Sequence, residues 1–128
     1  SLVPLADMLR YHLFRLGAFW IAEYGSPDEA PAFHVLYSYS PLHQAKPAAY
    51  PAMLFWTAES DSRVDPMHAR KMAAALQALT TSGEPVLLRV ETKAGHGMGK
   101  PTAKVAEQIA AELAFVLEET RKNRGVPA

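Results

Sequence analysis

"AMLFWTAESDSRVDPMHARKMAAALQALTTSGEPVLLRVETKAGHG", residues 52–97, decides the fold. Ala52 to Ala58 is a short continuous apolar run bounded by Pro51 and polar residues, which suits a strand covered on both faces. "SDSRVDP" follows as a loop, where Asp65 can cap and Pro66 can take the first turn of a helix. That helix runs from Met67 through "MAAALQAL" towards Ser82-Gly83. "PVLLRVET" reads as a second buried strand, Val86 to Val90, and after it comes His96 between two glycines. Strand, helix, strand implies a right-handed crossover and a parallel sheet. In such sheets the loops beyond the carboxyl ends of the strands carry the site. Here those loops are "ESDSRVDP" and "KAGHGMGK".

Working outward, Val105, Ile109, Leu113, Val116 and Leu117 line one face of a final helix, which Lys100-Pro101 starts; Glu107 to Lys122 supplies its solvated charged face. Upstream, Leu5, Met8, Leu9, Leu13 and Leu16 recur at helical spacing, and Gly17 can end that helix. "GAFWIAEYGSPDEAPAF" reads as irregular or short-helical, and "YSYSPLHQAKPAAYP" as a surface connection. "SLVP" offers a third strand. The expected fold class is α/β, with residues 1–128 as a single, partial domain.

Composition narrows the function. Of 128 residues 49% are hydrophobic, as in a globular protein. Thirteen basic residues balance thirteen acidic ones, so nothing argues for nucleic acid or an anionic membrane as partner. The absence of cysteine excludes disulfides, thiolate nucleophiles and cysteine metal sites. No apolar run reaches the roughly 18 residues that span a bilayer, and no signal peptide is visible, which favours a cytoplasmic setting. His12, His34, His43 and His68 show no paired spacing, so no metal and no cofactor is expected. "GHGMGK" lacks the spacing of a phosphate loop and its trailing serine or threonine.

The two loops offer Asp61, Arg63 and His96. Adjacent parallel strands would set Asp61 beside His96, where a carboxylate can fix the imidazole tautomer and support the imidazolium. Aspartate then histidine is the tail order of an α/β-hydrolase triad. By spacing alone, a loop-capping aspartate and a surface histidine fit as well.

"SPLH", "YPAMLFWTAESDSRVDPMHARKMAAALQ", "TKAGHGMGKPTAKVAEQ" and the upstream "DMLRYHLFRLGAFWIAEYG" closely resemble the C-terminal part of the prolyl oligopeptidase family of serine peptidases. The resemblance covers about Leu5 to Leu117. It implies an α/β-hydrolase fold and cleavage after proline in short peptides. By that resemblance Asp61 is the triad acid and His96 the triad histidine. Arg63 holds a carbonyl of the bound peptide, and Trp20 stacks on the proline ring. Tyr24 and Val64 form other walls, and Leu5 stands where the family usually has valine. An indole face suits proline, which presents an apolar ring without an amide hydrogen; plain core aromatics are the alternative for Trp20 and Tyr24.

The family's nucleophile sits on a Gly-x-Ser-x-Gly elbow. Ser1, Ser26, Ser38, Ser40, Ser60, Ser62 and Ser82 all lack the flanking glycines. Elbow, oxyanion donors and β-propeller are therefore expected to lie outside the chain, which should be inactive alone. The alternative is a stand-alone interaction or assembly module that keeps the fold without catalysis. Four further expectations follow. Asp61 should accept a hydrogen bond from His96. Trp20 and Tyr24 should be more exposed than Phe55 and Trp56. Both strands should be apolar on two covered faces. The chain should form a homodimer or higher oligomer through apolar residues of its N-terminal third.

Overall fold

β1 (Met53–Ala58) and β2 (Val86–Glu91) pair in parallel, with Met53 opposite Val86 and Ala58 opposite Glu91. The N-terminal residues add a third element. Val3 N donates to Trp56 O at 2.8 Å, Trp56 N donates to Ser1 O at 2.9 Å, and Leu2 bridges Trp56 in parallel. Trp56 therefore spends its backbone groups on the N-terminal segment. Met53 and Glu59 donate to Pro85 O and Glu91 O on the other side. β1 is thus the middle of three extended segments. The computed structural model describes residues 1–92 and 101–123. The chain forms two compact units, Ser1–His96 and Gly97–Ala128.

Between the strands runs α4 (Met67–Leu79). Asp65 Oδ1 accepts from Met67 N at 2.9 Å and so caps the helix start from one residue before Pro66. Ala73 and Leu76 of α4 pack with Phe55 and Val86 in one buried cluster. A buried side chain the size of Leu76, Phe55 or Val86 contributes about 1.5–3 kcal/mol, so a few such contacts hold α4 to the sheet.

β1 is buried at four successive positions, Phe55 to Ala58. β2 departs from the expectation of two covered faces. Leu87 is 46% exposed. Arg89 is exposed too, and its guanidinium carbon lies 4.7 Å from the centroid of the buried Trp56 ring. The cation spreads over the indole face and covers it. The expectation fails for β2 because an apolar run does not record which faces of a strand the packing covers.

The expected helix from Leu5 to Leu16 does not form. Turns and a short 3-10 segment, Tyr11–Leu13, replace it, and a second 3-10 segment, Gly17–Trp20, follows. Asp7 accounts for part of this, because its Oδ1 accepts from Leu9 N at 3.2 Å and competes with helical pairing. Arg15 adopts a left-handed φ of 52°. Gly17 packs so closely that a Cβ there would lie 1.8 Å from Tyr11 O. α1 (Ile21–Tyr24), α2 (Ala30–Tyr39) and α3 (Pro41–Gln44) follow. Met8, Tyr11 and Leu36 form a second buried cluster, with Leu5, Trp20 and Ile21 against it. The stretch around Ser40 is not simply a surface connection, since Ser40 is fully buried.

In the second unit, α5 spans Thr102–Asn123. Pro101 supplies its first accepting carbonyl, to Val105 N at 3.2 Å. Lys104–Glu107 and Arg121–Glu118 pairs lace its polar side at one-turn spacing. Among the described residues no helix is long and apolar enough to cross a membrane.

Candidate active site

Asp61 stands three residues beyond the carboxyl end of β1 and is fully buried. Its Oδ1 accepts from Arg63 N and Val64 N, both at 2.9 Å. The carboxylate thus folds its own loop into a tight turn, and that turn directs Arg63 and Val64 to one side. The loop-capping reading of Asp61 is therefore correct as far as it goes. It does not exhaust the residue, because a buried carboxylate needs several donors and Asp61 makes a further interaction. His96 and its flanking glycines lie outside the described residues.

A cleft of about 570 Å³ opens beside this turn. Leu5, Trp20, Tyr24, Arg63 and Val64 all line it, so the structure brings together every pocket residue named from the sequence. Leu2, Val3 and Glu23 also line it and were not named. Val3 has a φ of 46°, a strained conformation for a β-branched residue. Glu23 was legible in principle, because Trp20, Glu23 and Tyr24 stand three and four residues apart across one helical turn.

The aromatic wall is anchored from behind. Tyr11, fully buried, meets Tyr24 edge-to-face with ring centroids 5.7 Å apart. Its hydroxyl donates to Gly25 O at 2.7 Å. Burial, with Tyr39 and Tyr24 nearby, pushes the Tyr11 hydroxyl pKa up, so it stays a protonated donor. Gly25 itself takes a φ of 90°, open to glycine, and ends α1. Tyr24 and the half-buried Trp20 are more exposed than Phe55 and Trp56.

A second polar constellation lies elsewhere in the same unit, around the fully buried Asp7. Lys71 Nζ donates to its Oδ2, and Arg10 Nη1 lies 3.4 Å from the same oxygen. Asp7 N donates to His68 Nδ1 at 3.1 Å. Ser40 Oγ is 2.8 Å from His43 Nδ1, and that nitrogen is 3.9 Å from Asp7 Oδ1. Serine, histidine and aspartate are thus close, but not as a catalytic relay. Serine and acid meet the same ring nitrogen, whereas a relay needs one on each. Ser40 Oγ is also occupied, accepting from Met8 N at 3.0 Å, and wholly buried.

Burial alone would raise the Asp7 pKa. The hydrogen-bonded Lys71 ammonium, with His43 and Arg10, outweighs burial and holds Asp7 below the ordinary carboxylate value. Burial pushes His68 below the usual imidazole value, against the opposing pull of Asp7 and Asp65. A neutral His68 is what its accepting Nδ1 requires. Among the described residues no group of three or more histidine, aspartate or glutamate side chains is placed to hold a metal ion.

These features coincide with a known family. The model of the prolyl oligopeptidase family matches residues 1–123. Prolyl endopeptidase of Elizabethkingia miricola is 43% identical over 119 residues, 91% of this chain and 17% of that protein. A solved prolyl endopeptidase structure superposes with a TM-score of 0.80 at 45% identity, over 94% of this chain and 17% of the other. Prolyl oligopeptidase B of Galerina marginata, solved bound to a 35mer hydrolysis and macrocyclization substrate, gives a TM-score of 0.86 at 36% identity; 92% of this chain is covered and 17% of that one. The chain belongs to the prolyl oligopeptidase family, and its parallel sheet with flanking helices is part of that family's hydrolase fold. It spans about a sixth of the length of these relatives and contains no Gly-x-Ser-x-Gly sequence.

Proposed function

We propose that the chain carries the acid, the histidine and one side of the proline pocket of a serine peptidase that cleaves short peptides after proline. Asp61 is the acid and His96 the general base. Arg63 donates to a peptide carbonyl, Trp20 packs on the proline ring, and Leu5, Tyr24 and Val64 complete the wall. The supporting observation is the convergence of those five residues on one cleft, against the turn closed by Asp61. No elbow serine occurs in these residues, so the chain alone should not turn over peptide; loss of one triad member costs several orders of magnitude. Intact-mass analysis after treatment with an active-serine phosphonate tests this. No adduct is expected, and a stoichiometric adduct on any serine overturns it. The pair is tested by the His96 Nδ1–H resonance, which should disappear in Asp61→Ala and be unchanged in Ser62→Ala.

A second reading, an assembly module that self-associates, is supported by apolar exposure in the N-terminal third. Phe19 is 80% and Leu13 64% exposed, and such surface invites cover. A homodimer formed through it predicts a sedimentation mass near twice the monomer that reverts in Phe19→Lys. A monomer at micromolar concentration would count against it.

A further inference from the structure

We propose that Glu23 makes the cleft selective for cationic peptides, in which a lysine or arginine flanks the residue held by Trp20. This rests on the proline-pocket reading and adds a charge preference to it.

The position of Glu23 is dictated by local geometry. Trp20 closes a 3-10 segment and Glu23 and Tyr24 belong to α1, which continues from it directly. Residues three and four apart share a helix face, so the turn that aims Trp20 and Tyr24 at the cleft aims Glu23 there too. Its neighbours in the lining are two aromatic rings and aliphatic walls. Glu23 is itself exposed, so its attraction for a cation is that of a solvent-accessible pair.

Some charges of the unit are paired and others are not. Asp7 and Asp65 have cationic partners, Lys71 and Arg15. Among the described residues, Glu23 and Arg63 are two of several charges without an ion pair, and they are the two charged residues that line the cleft. A guanidinium and a carboxylate that share a cleft yet stay apart present two separate sites to a ligand. Arg63 suits a carbonyl oxygen, and Glu23 then suits the complementary feature, a cationic side chain one residue away. An exposed carboxylate left to solvent is the bland alternative, and it predicts no dependence on ligand charge.

The test measures binding of capped dipeptides to the whole chain through the Trp20 indole N–H resonance. The probes are acetyl-Lys-Pro-amide, acetyl-Gln-Pro-amide, acetyl-Glu-Pro-amide and acetyl-Pro-Lys-amide. One of the lysine peptides should bind about three- to fivefold more tightly than the glutamine peptide, the range of a partly exposed ion pair, and the glutamate peptide more weakly. The preference should shrink as salt is raised. Glu23→Gln should remove the spread, and Glu23→Lys should invert it. Equal affinities in the unmodified chain, or a preference that survives Glu23→Gln, overturn the inference while the proline pocket stands. If no proline peptide moves the Trp20 resonance, the pocket reading fails and this inference fails with it.

Discussion

The Asp7 cluster and the Trp20 cleft use the same vocabulary of carboxylate, cation and aromatic side chain to opposite ends. Around Asp7 the donors and acceptors are spent on one another. The carboxylate meets an ammonium and a guanidinium, Ser40 is shared between Met8 N and His43, and His68 accepts from the backbone. Along the cleft Arg63 and Glu23 have no ion pair among the described residues, and the aromatic rings are half open. The difference teaches that residue identity does not mark a site. A Ser, His and Asp within a few ångströms are structural when each is saturated and dry. The cleft differs in leaving polar capacity unused at an accessible surface, which is what supports the proposed site.

If that contrast is right, substitutions in the two regions should separate cleanly. The largest effect is expected from Lys71→Met. It leaves the Asp7 carboxylate buried with its main partner gone, a defect that costs about 3 kcal/mol. Urea denaturation checks this, and a loss below about 1 kcal/mol would show that Arg10 and His43 suffice.

Acid should act on the same region. His68 has a folded pKa below its unfolded value of about 6.5. The unfolded chain then takes up the proton first. The associated stability is complete above about pH 6.5 and is lost as pH falls through the lower folded value. Asp7, also lowered, adds a second loss that begins below about pH 4. Each group gives a slope of at most about 1.4 kcal/mol per pH unit. Thermal melts at pH 7, 6 and 5 should fall in that order, and His68→Asn should flatten the upper part of the series.

Ser40→Ala is expected to cost less, about 1–2 kcal/mol, because it orphans the buried Met8 N–H without leaving a bare charge. The smallest effect belongs to the cleft. Arg63→Met should change stability by less than about 0.5 kcal/mol, as for surface substitutions without a structural partner, while weakening peptide binding at the Trp20 indole. A large destabilisation by Arg63→Met would erase the contrast between the regions.

The sequence was most informative where the chain is regular. "AMLFWTA" and "PVLLRV" became β1 and β2 within one residue of the reading, and Asp65-Pro66 opened α4 as its cap chemistry requires. The same wording carried the resemblance that named Leu5, Trp20, Tyr24, Arg63 and Val64, and those side chains do meet. The N-terminal segment shows the limit. Leucines at helical spacing from Leu5 to Leu16 describe a helix on paper, yet Asp7 turns its carboxylate towards Lys71 and the chain coils around Tyr11. "SPLH" read as a loop, yet its serine lies among the most buried polar side chains.

By itself, then, the sequence determined the order β1, α4, β2 and α5, the turn that Asp61 closes and the chemistry available beyond β1, because these depend on neighbours in the chain. Only tertiary structure decided that Asp7 meets Lys71 across 64 positions and that Arg89 covers Trp56. It also brought Glu23 to the cleft that contains Arg63. Each of these juxtapositions joins segments far apart in the chain. Asp7 and Lys71 pair because burial makes an unpaired charge costly, and which residues meet depends on packing that no local pattern records.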